Sequence, residues 1–183
     1  GETSQDWDTV GMKWVNDLHI MRQFNSLGDV TNILRQKWDK ALPDWVNDMN
    51  RTISYNSFFQ VETNLLQRWG ESSWIDSLRA SYSYTAEGNI SHYLEELSNG
   101  VDWENLYQEQ YSYDSKEITI DINNWDTDDA AWENDVLITN YLNAQGYILI
   151  EQYDFWNSIL KFYETGYYDE YEEDGTNSEY FEN

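Results

Sequence analysis

"DWDTVGMKWVNDLHIMRQF", residues 6–24, decides how the chain is read. Its apolar residues fall at Val10, Trp14, Leu18 and Met21, with Val15 beside them. Intervals of three and four residues place side chains on one face of a helix. Asp6 or Thr9 supplies a cap at its start. The pattern recurs in "GDVTNILRQKWDKAL" (28–42) through Val30, Ile33, Leu34 and Trp38. Pro43 then ends that helix and opens another through "PDWVNDMN", since proline suits a first helical turn. "NSFFQVETNLLQRWG" (56–70) places Phe58, Val61, Leu65 and Trp69 before a capping Gly70, and "SSWIDSLRASY" (72–82) places Trp74, Ile75, Leu78 and Tyr82. "EGNISHYLEELSNG" and "DWENLYQEQY" read as two more short helices. The spacing therefore predicts a helical N-terminal part.

The period changes at "SKEITIDINNW", where Ile118, Ile120 and Ile122 alternate with Thr119 and Asp121. Alternation is strand spacing. "DTDDAAWENDVLITNYLNAQG" (126–146) returns to a helix, capped by Asp126 or Thr127 and ended by Gly146. "YILIEQY" reads as a buried strand, and "DFWNSILKFYETG" as a last helix with Gly166 behind it. In the tail, "YYDEYEE" and "SEYFE" flank Asp174-Gly175, a dipeptide that favours a tight hairpin turn. The expected strands are about 117–122, 147–153, 167–173 and 178–182. The expected class is α+β: one domain over 1–183, its first hundred residues mainly helical, with a small, partly antiparallel C-terminal sheet. No internal repeat at a fixed period stands out.

The 183 residues include ten Trp and fifteen Tyr, too aromatic for a disordered chain. There is no Cys, so disulfides, thiolate metal sites and cysteine nucleophiles are excluded. No apolar run reaches the length of a membrane span, and the opening residues lack the charged and apolar regions of a signal peptide. These features predict a soluble protein of the bacterial cytoplasm.

Charge is the outlier. The net value is −25, from 35 acids and ten bases. Residues 1–100 hold 14 acids and eight bases, whereas residues 101–183 hold 21 acids and two bases, Lys116 and Lys161. Salt adaptation raises acidity along a whole chain, so the asymmetry marks a specialised surface. Eighteen Asn, with abundant Tyr and Ile, suggest an AT-rich genome, yet Lys appears only five times.

Catalytic motifs are lacking. His19 and His92 stand 73 residues apart without a supporting pattern, and read as structural or surface residues. "GDVTN" and "GESSW" lack the Lys and the spacing of a phosphate loop. Asp126-x-Asp128 begins like a calcium loop, but Ala131 and Leu137 stand where such a loop needs Gly and Glu. The Asp-rich turn reads better as a helix start, and no metal or cofactor is expected. Paired carboxylates among aromatics also suit a sugar-cleaving enzyme, but the Trp spacing favours packing. Direct binding to nucleic acid needs Lys and Arg and is disfavoured.

Acidic residues held at fixed intervals can instead occupy a basic nucleic-acid groove. Alternate residues of a strand lie about 6.7 Å apart. In "YYDEYEED", Glu170, Glu172 and Asp174 would line one face, with Asp169, Tyr171 and Glu173 on the other. On the expected 126–145 helix, Asp128 or Asp129 shares a face with Glu133. With its size, its charge, its lack of Cys and its Tyr set among carboxylates, the chain resembles the small acidic DNA-mimic proteins of phages and plasmids, the anti-restriction and anti-CRISPR inhibitors. That resemblance implies a non-enzymatic inhibitor whose partner is a basic nucleic-acid-binding protein, a nuclease of bacterial defence. The candidate contact residues are Asp126, Asp128, Asp129, Glu133, Asp169, Glu170, Tyr171, Glu172, Glu173 and Asp174. The alternative is an acidic immunity or chaperone-like protein that neutralises a basic partner.

Overall fold

The computed structural model describes residues 1–171 and 177–182, and the described residues form strands and turns only. The strands are β1 (Glu2–Asp8), β2 (Lys13–Phe24), β3 (Val30–Asp39), β4 (Asp44–Tyr55), β5 (Val61–Trp69), β6 (Trp74–Tyr84), β7 (Ile90–Ser98), β8 (Trp103–Tyr113), β9 (Glu117–Asp126), β10 (Ala131–Leu142), β11 (Ile148–Asn157), β12 (Phe162–Tyr171) and β13 (Asn177–Glu182). Strand order follows chain order. The α+β expectation is thereby overturned, and with it every helix, including the one from 126 to 145. The segments expected as strands at 117–122 and 147–153 fall on β9 and β11. β12 and β13 pair antiparallel, with Tyr171 opposite Asn177; the turn expected at Asp174-Gly175 lies outside the described residues.

The helical pattern misleads for two physical reasons. Both sides of β2 and β4 are half-covered along most of their length, so apolar residues sit on either side and the period of two is blurred. Trp14 and Met21 share one side of β2, while Val15 and Leu18 lie on the other. β2, β4, β6 and β10, which start at the Trp end, also carry a bulge, where the register skips one residue: between Thr3 and Gln5 opposite β2, between Arg35 and Gln36 opposite β4, between Leu66 and Gln67 opposite β6, and between Asn134 and Val136 on β10. A bulge turns one step of two into a step of three. Trp45, Asn47 and Asn50 thus lie on one side of β4 with intervals that imitate a helix.

A repeat underlies this. Trp14, Trp45, Trp74, Trp103 and Trp132 stand at the starts of β2, β4, β6, β8 and β10, 29 or 31 residues apart. The preceding turns hold an Asx side chain that accepts two backbone N–H groups: Asp8 from Val10 and Gly11, Asp39 from Ala41 and Leu42, Asn99 from Val101 and Asp102, and Asp126 from Asp128 and Asp129. Asp126 therefore caps a hairpin turn rather than a helix. Gly70, expected as a helix cap, turns β5 into β6 by donating to the Ser73 carbonyl at 2.9 Å.

The opposite turns repeat too. Asn25, Asn56, Thr85 and Asn143 each donate their own N–H to the carbonyl four residues on, at 2.7–2.9 Å. Their side-chain oxygens accept the N–H groups two and four residues later. The fourth residue of the turn is left-handed: Gly28 at φ 96°, Gly88 at 91°, Gly146 at 86°, and Phe59 at 62°.

The chain divides into two compact units, Gly1–Ser81 with Glu96–Glu104, and Tyr82–Glu95 with Asn105–Asn183. Among the described residues Ala80 is the one buried apolar side chain, while Gln108, Asn123, Thr139, Asn140 and Asp154 are buried polar ones. Cross-strand pairs therefore take the place of a core. In the first unit Trp7–Trp14, Trp38–Trp45 and Trp69–Trp74 meet edge to face at centroid distances of 5.0–5.4 Å. Such pairs add about 0.5–1.5 kcal/mol each beyond area burial. Asn50 donates to Gln67 at 3.0 Å, and Gln67 to Asp76 at 2.8 Å. In the second unit Trp125–Trp132 and Trp156–Tyr163 repeat the ring contact, and Gln108 donates to Asn123, which donates to Asn134.

Phe59 is 60% exposed, so it loses little packing on truncation. A bulky left-handed residue costs about 1–2 kcal/mol. Phe59→Gly should raise unfolding free energy by up to about 1 kcal/mol after glycine's added chain entropy, and Gly28→Ala should lower it by about 1 kcal/mol or more, both read by urea denaturation.

Candidate protein-interaction surface

The two units differ in how they handle charge. The first holds 14 acids and eight bases, the second 21 acids with Lys116 and Lys161 as its only bases. All four ion pairs among the described residues lie in the first unit: Arg22–Glu2, Arg35–Asp48, Lys37–Asp48 and Arg79–Glu96. Burial opposes ionisation of Asp48, but hydrogen bonds from Lys37 and Arg35 outweigh it and hold the carboxyl below the usual carboxylate range. The Arg79 guanidinium grips Glu96 through two bonds of 2.7 Å and covers the Trp103 ring at 4.6 Å.

In the second unit tyrosine hydroxyls stand where cations stand in the first. The sequence places Tyr and acid two residues apart again and again: Tyr93-x-Glu95, Tyr107-x-Glu109-x-Tyr111, Glu151-x-Tyr153 and Tyr167-x-Asp169-x-Tyr171. In a strand, residues two apart share a side. Tyr93 donates to Glu95, Tyr107 to Glu109 at 2.6 Å, Tyr111 to the other oxygen of Glu109, and Tyr171 to Glu151 at 3.3 Å. The rings associate as well, with Tyr82 against Tyr93, Tyr93 against Tyr107, and Tyr153 stacked on Tyr167 at 4.4 Å. Burial first, and then the carboxylate each one donates to, push the Tyr93, Tyr107, Tyr111 and Tyr153 phenols well above their ordinary range. Ile118, Ile120, Ile122, Val136 and Ile138 lie on the same side, between the tyrosines of β8 and those of β11 and β12.

The residues singled out from sequence do not form one site. Asp126, Asp128 and Asp129 occupy the β9–β10 turn, and Glu133 stands exposed on β10 opposite Asn124. Asp128 and Asp129 do not share a helical face with Glu133, since no helix exists there. Asp169 pairs with Glu151, which in turn pairs with Asn140. Asn140 is seven residues along β10 from Glu133, about 23 Å at the rise of a strand. Asp169 and Tyr171 point to one side of β12 and Glu170 to the other, as alternation requires. Glu172, Glu173 and Asp174 lie outside the described residues. Sequence reasoning missed Glu95, Glu109, Glu151, Tyr93, Tyr107 and Tyr153, although their spacing of two was in plain view.

His19 packs its ring on Trp45 at 5.4 Å, and His92 hydrogen-bonds Gln108 at 3.1 Å. Among the described residues no three His, Cys, Asp or Glu side chains gather in one place, and no helix is long and apolar enough to cross a membrane.

No family model matches the chain, and no curated protein matches it. Solved structures that it is similar to include a protein of unknown function from Bacteroides fragilis NCTC 9343, 9% identical, with a TM-score of 0.38 over 81% of this chain and 88% of that one. A DUF3836 family protein from Parabacteroides distasonis ATCC 8503 is 16% identical, with a TM-score of 0.36 over 52% of this chain and 93% of its own. Another, from Bacteroides vulgatus ATCC 8482, is 15% identical, with a TM-score of 0.28 over 67% and 97%.

Tyrosines held neutral by a carboxylate acceptor have a folded-state pKa above the unfolded value. Their contribution to stability is complete below the unfolded value, near pH 10, and is lost as pH rises through the folded one. Glu109→Gln should shift the late part of the tyrosinate absorbance titration to lower pH, because Tyr107 and Tyr111 lose their charged acceptor. An unchanged titration curve would contradict the pairing.

Proposed function

We propose that the chain is a non-enzymatic inhibitor that uses its acidic unit to occupy the basic nucleic-acid groove of a bacterial defence nuclease. The observation that carries this reading is the segregation of charge. The first unit offsets part of its charge with eight bases and pairs Glu2, Asp48 and Glu96 with cations, whereas the second leaves a net −19 with two bases and no ion pair among its described residues. Clustered like charge weakens a fold by self-repulsion, so a surface that keeps it gains something in exchange. Strands hold side chains about 6.7 Å apart along their length and about 4.8 Å across, a spacing on the scale of a phosphate backbone. Carboxylates would steer the encounter, and the tyrosines among them would supply contact area at the centre of the interface.

The test is binding of the immobilised chain to purified restriction and CRISPR nucleases across a salt series, with duplex DNA as competitor. The reading expects affinity to fall at least tenfold between 50 and 200 mM salt, on the order expected when several charge contacts are replaced by ions. DNA should displace the chain. Asp128→Asn, Asp129→Asn, Glu133→Gln and Asp135→Asn together should weaken binding while leaving the fold intact, since these side chains are exposed. Binding that ignores salt and DNA would overturn the reading. Salt-sensitive binding without DNA competition would replace it with neutralisation of a basic protein partner.

A further inference from the structure

The β10–β11–β12 stretch of the acidic unit sets Asn140 in one row with two carboxylates of the interaction surface, Glu151 and Asp169. Asn140 stands directly opposite Glu151, and Glu151 directly opposite Asp169, so the three side chains form one row on one side of three adjacent strands. Asn140 is only 6% exposed, and its Oδ1 is buried without a hydrogen-bond donor. Asp169 Oδ1 is buried without a donor as well. Two orphaned acceptors thus flank a carboxylate. A buried acceptor left without a partner costs about 1–3 kcal/mol, and like charges directly opposite each other on paired strands are destabilising.

Nothing among the described residues of the unit relieves this. Its only bases are Lys116 and Lys161, and no ion pair forms among its described residues. Tyr171 donates to Glu151 at 3.3 Å, and Tyr153 also hydrogen-bonds Glu151, which leaves free lone pairs on that carboxylate and none of its protons for Asp169 or Asn140. What the row lacks is positive charge with room for oxygen ligands.

We propose that Asn140, Glu151 and Asp169 bind a divalent cation of the calcium type. The donors are all oxygen, two carboxylates and one amide, which suits a hard cation and not zinc. Distances agree with the larger ion. Asn140 and Asp169 sit two strand spacings apart, about 9–10 Å. Ligands on opposite sides of a calcium ion lie about 5 Å apart, and two short side chains each leaning inward by about 2 Å close the difference. Glu151 contributes from between them, and water completes the shell. Clusters made only of carboxylates, such as Asp126, Asp128 and Asp129, lack an orphaned buried acceptor of this kind.

Terbium, which replaces calcium at oxygen sites, provides the probe, because Tyr153 and Tyr171 lie close enough to sensitise its luminescence. Terbium should give a saturable signal that calcium displaces and potassium at equal ionic strength does not. Calcium should also raise the melting temperature of the unaltered chain more than that matched salt does. Asn140→Ala removes a ligand together with the orphaned acceptor, so the chain should still fold while terbium affinity falls at least tenfold. Asn140→Asp adds a charge and should tighten binding. Luminescence that does not saturate, calcium and matched salt acting alike on melting, or an affinity unchanged in both Asn140 variants would each overturn the site. An amide oriented the other way, with Nδ2 donating to Glu151, would show as Asn140→Asp destabilising the chain without any gain in binding, and would overturn it too.

Discussion

The backbone ladder between strands adjacent in sequence is the interaction on which the rest of this structure depends. Ala80 is the one apolar side chain buried among the described residues, so no core sets the register of the strands from one side. A strand with two half-covered faces has weak register preference, because a slip of one residue exchanges two similar faces. Here the turns remove that freedom. Asx side chains close the Trp-end turns, and Asn or Thr side chains close the opposite ones, each fixing which residues face each other as the chain leaves the turn. The edge-to-face Trp pairs then lock the first rung of each hairpin.

From that register follow the rows. Behind the Trp rung comes a polar rung, Gln36 with Asn47, Gln67 with Asp76, and Asn123 with Asn134. Amides that can both donate and accept suit a half-buried position, since neighbouring strands always offer one partner or the other. The reverse side carries aliphatic residues in the first unit, around Leu66, Leu78 and Ala80. In the second it carries the tyrosine–carboxylate set. One scaffold therefore supports two electrostatic regimes. Where Arg and Lys face Asp48 and Glu96, charge is cancelled internally; where Tyr faces Glu95, Glu109 and Glu151, the carboxylate accepts a hydrogen bond and meets no cation among the described residues. Hydrogen bonding without neutralisation lets a dense acidic surface be ordered and still attract a cation or a basic protein.

The sequence made part of this legible. Ile118, Ile120 and Ile122 announced a strand because their alternation has no bulge within it, and the charge asymmetry matched the two units without any knowledge of the fold. The helical reading of 6–24 failed where a bulge after Trp14 and Asn16 shifted the spacing, and where Val15 and Leu18 filled the opposite side. Asp126, expected as a helix cap, closes a hairpin turn, because a turn needs an Asx cap as much as a helix does. The repeat is hard to see in the sequence because its spacing is 31 residues once and 29 thereafter, and its most regular marks, Trp and turn Asx, read equally well as core and cap. Had Trp14, Trp45, Trp74, Trp103 and Trp132 been aligned, the recurring Trp-x-Asn/Asp would have pointed to hairpins. The pairing of Asn140 with Glu151 and Asp169 was not legible at all, since it depends on register across two turns.

The most direct test of this account is a disulfide scan across one hairpin. The chain has no Cys, so any crosslink reports an introduced pair. Gln67 and Asp76 are directly opposite on β5 and β6, whereas Arg68 faces the other side of the sheet from Asp76. Under mild oxidation Gln67→Cys with Asp76→Cys should crosslink readily, and Arg68→Cys with Asp76→Cys should not. Equal crosslinking of the two pairs, or none in the first, would contradict the register on which every row of side chains rests.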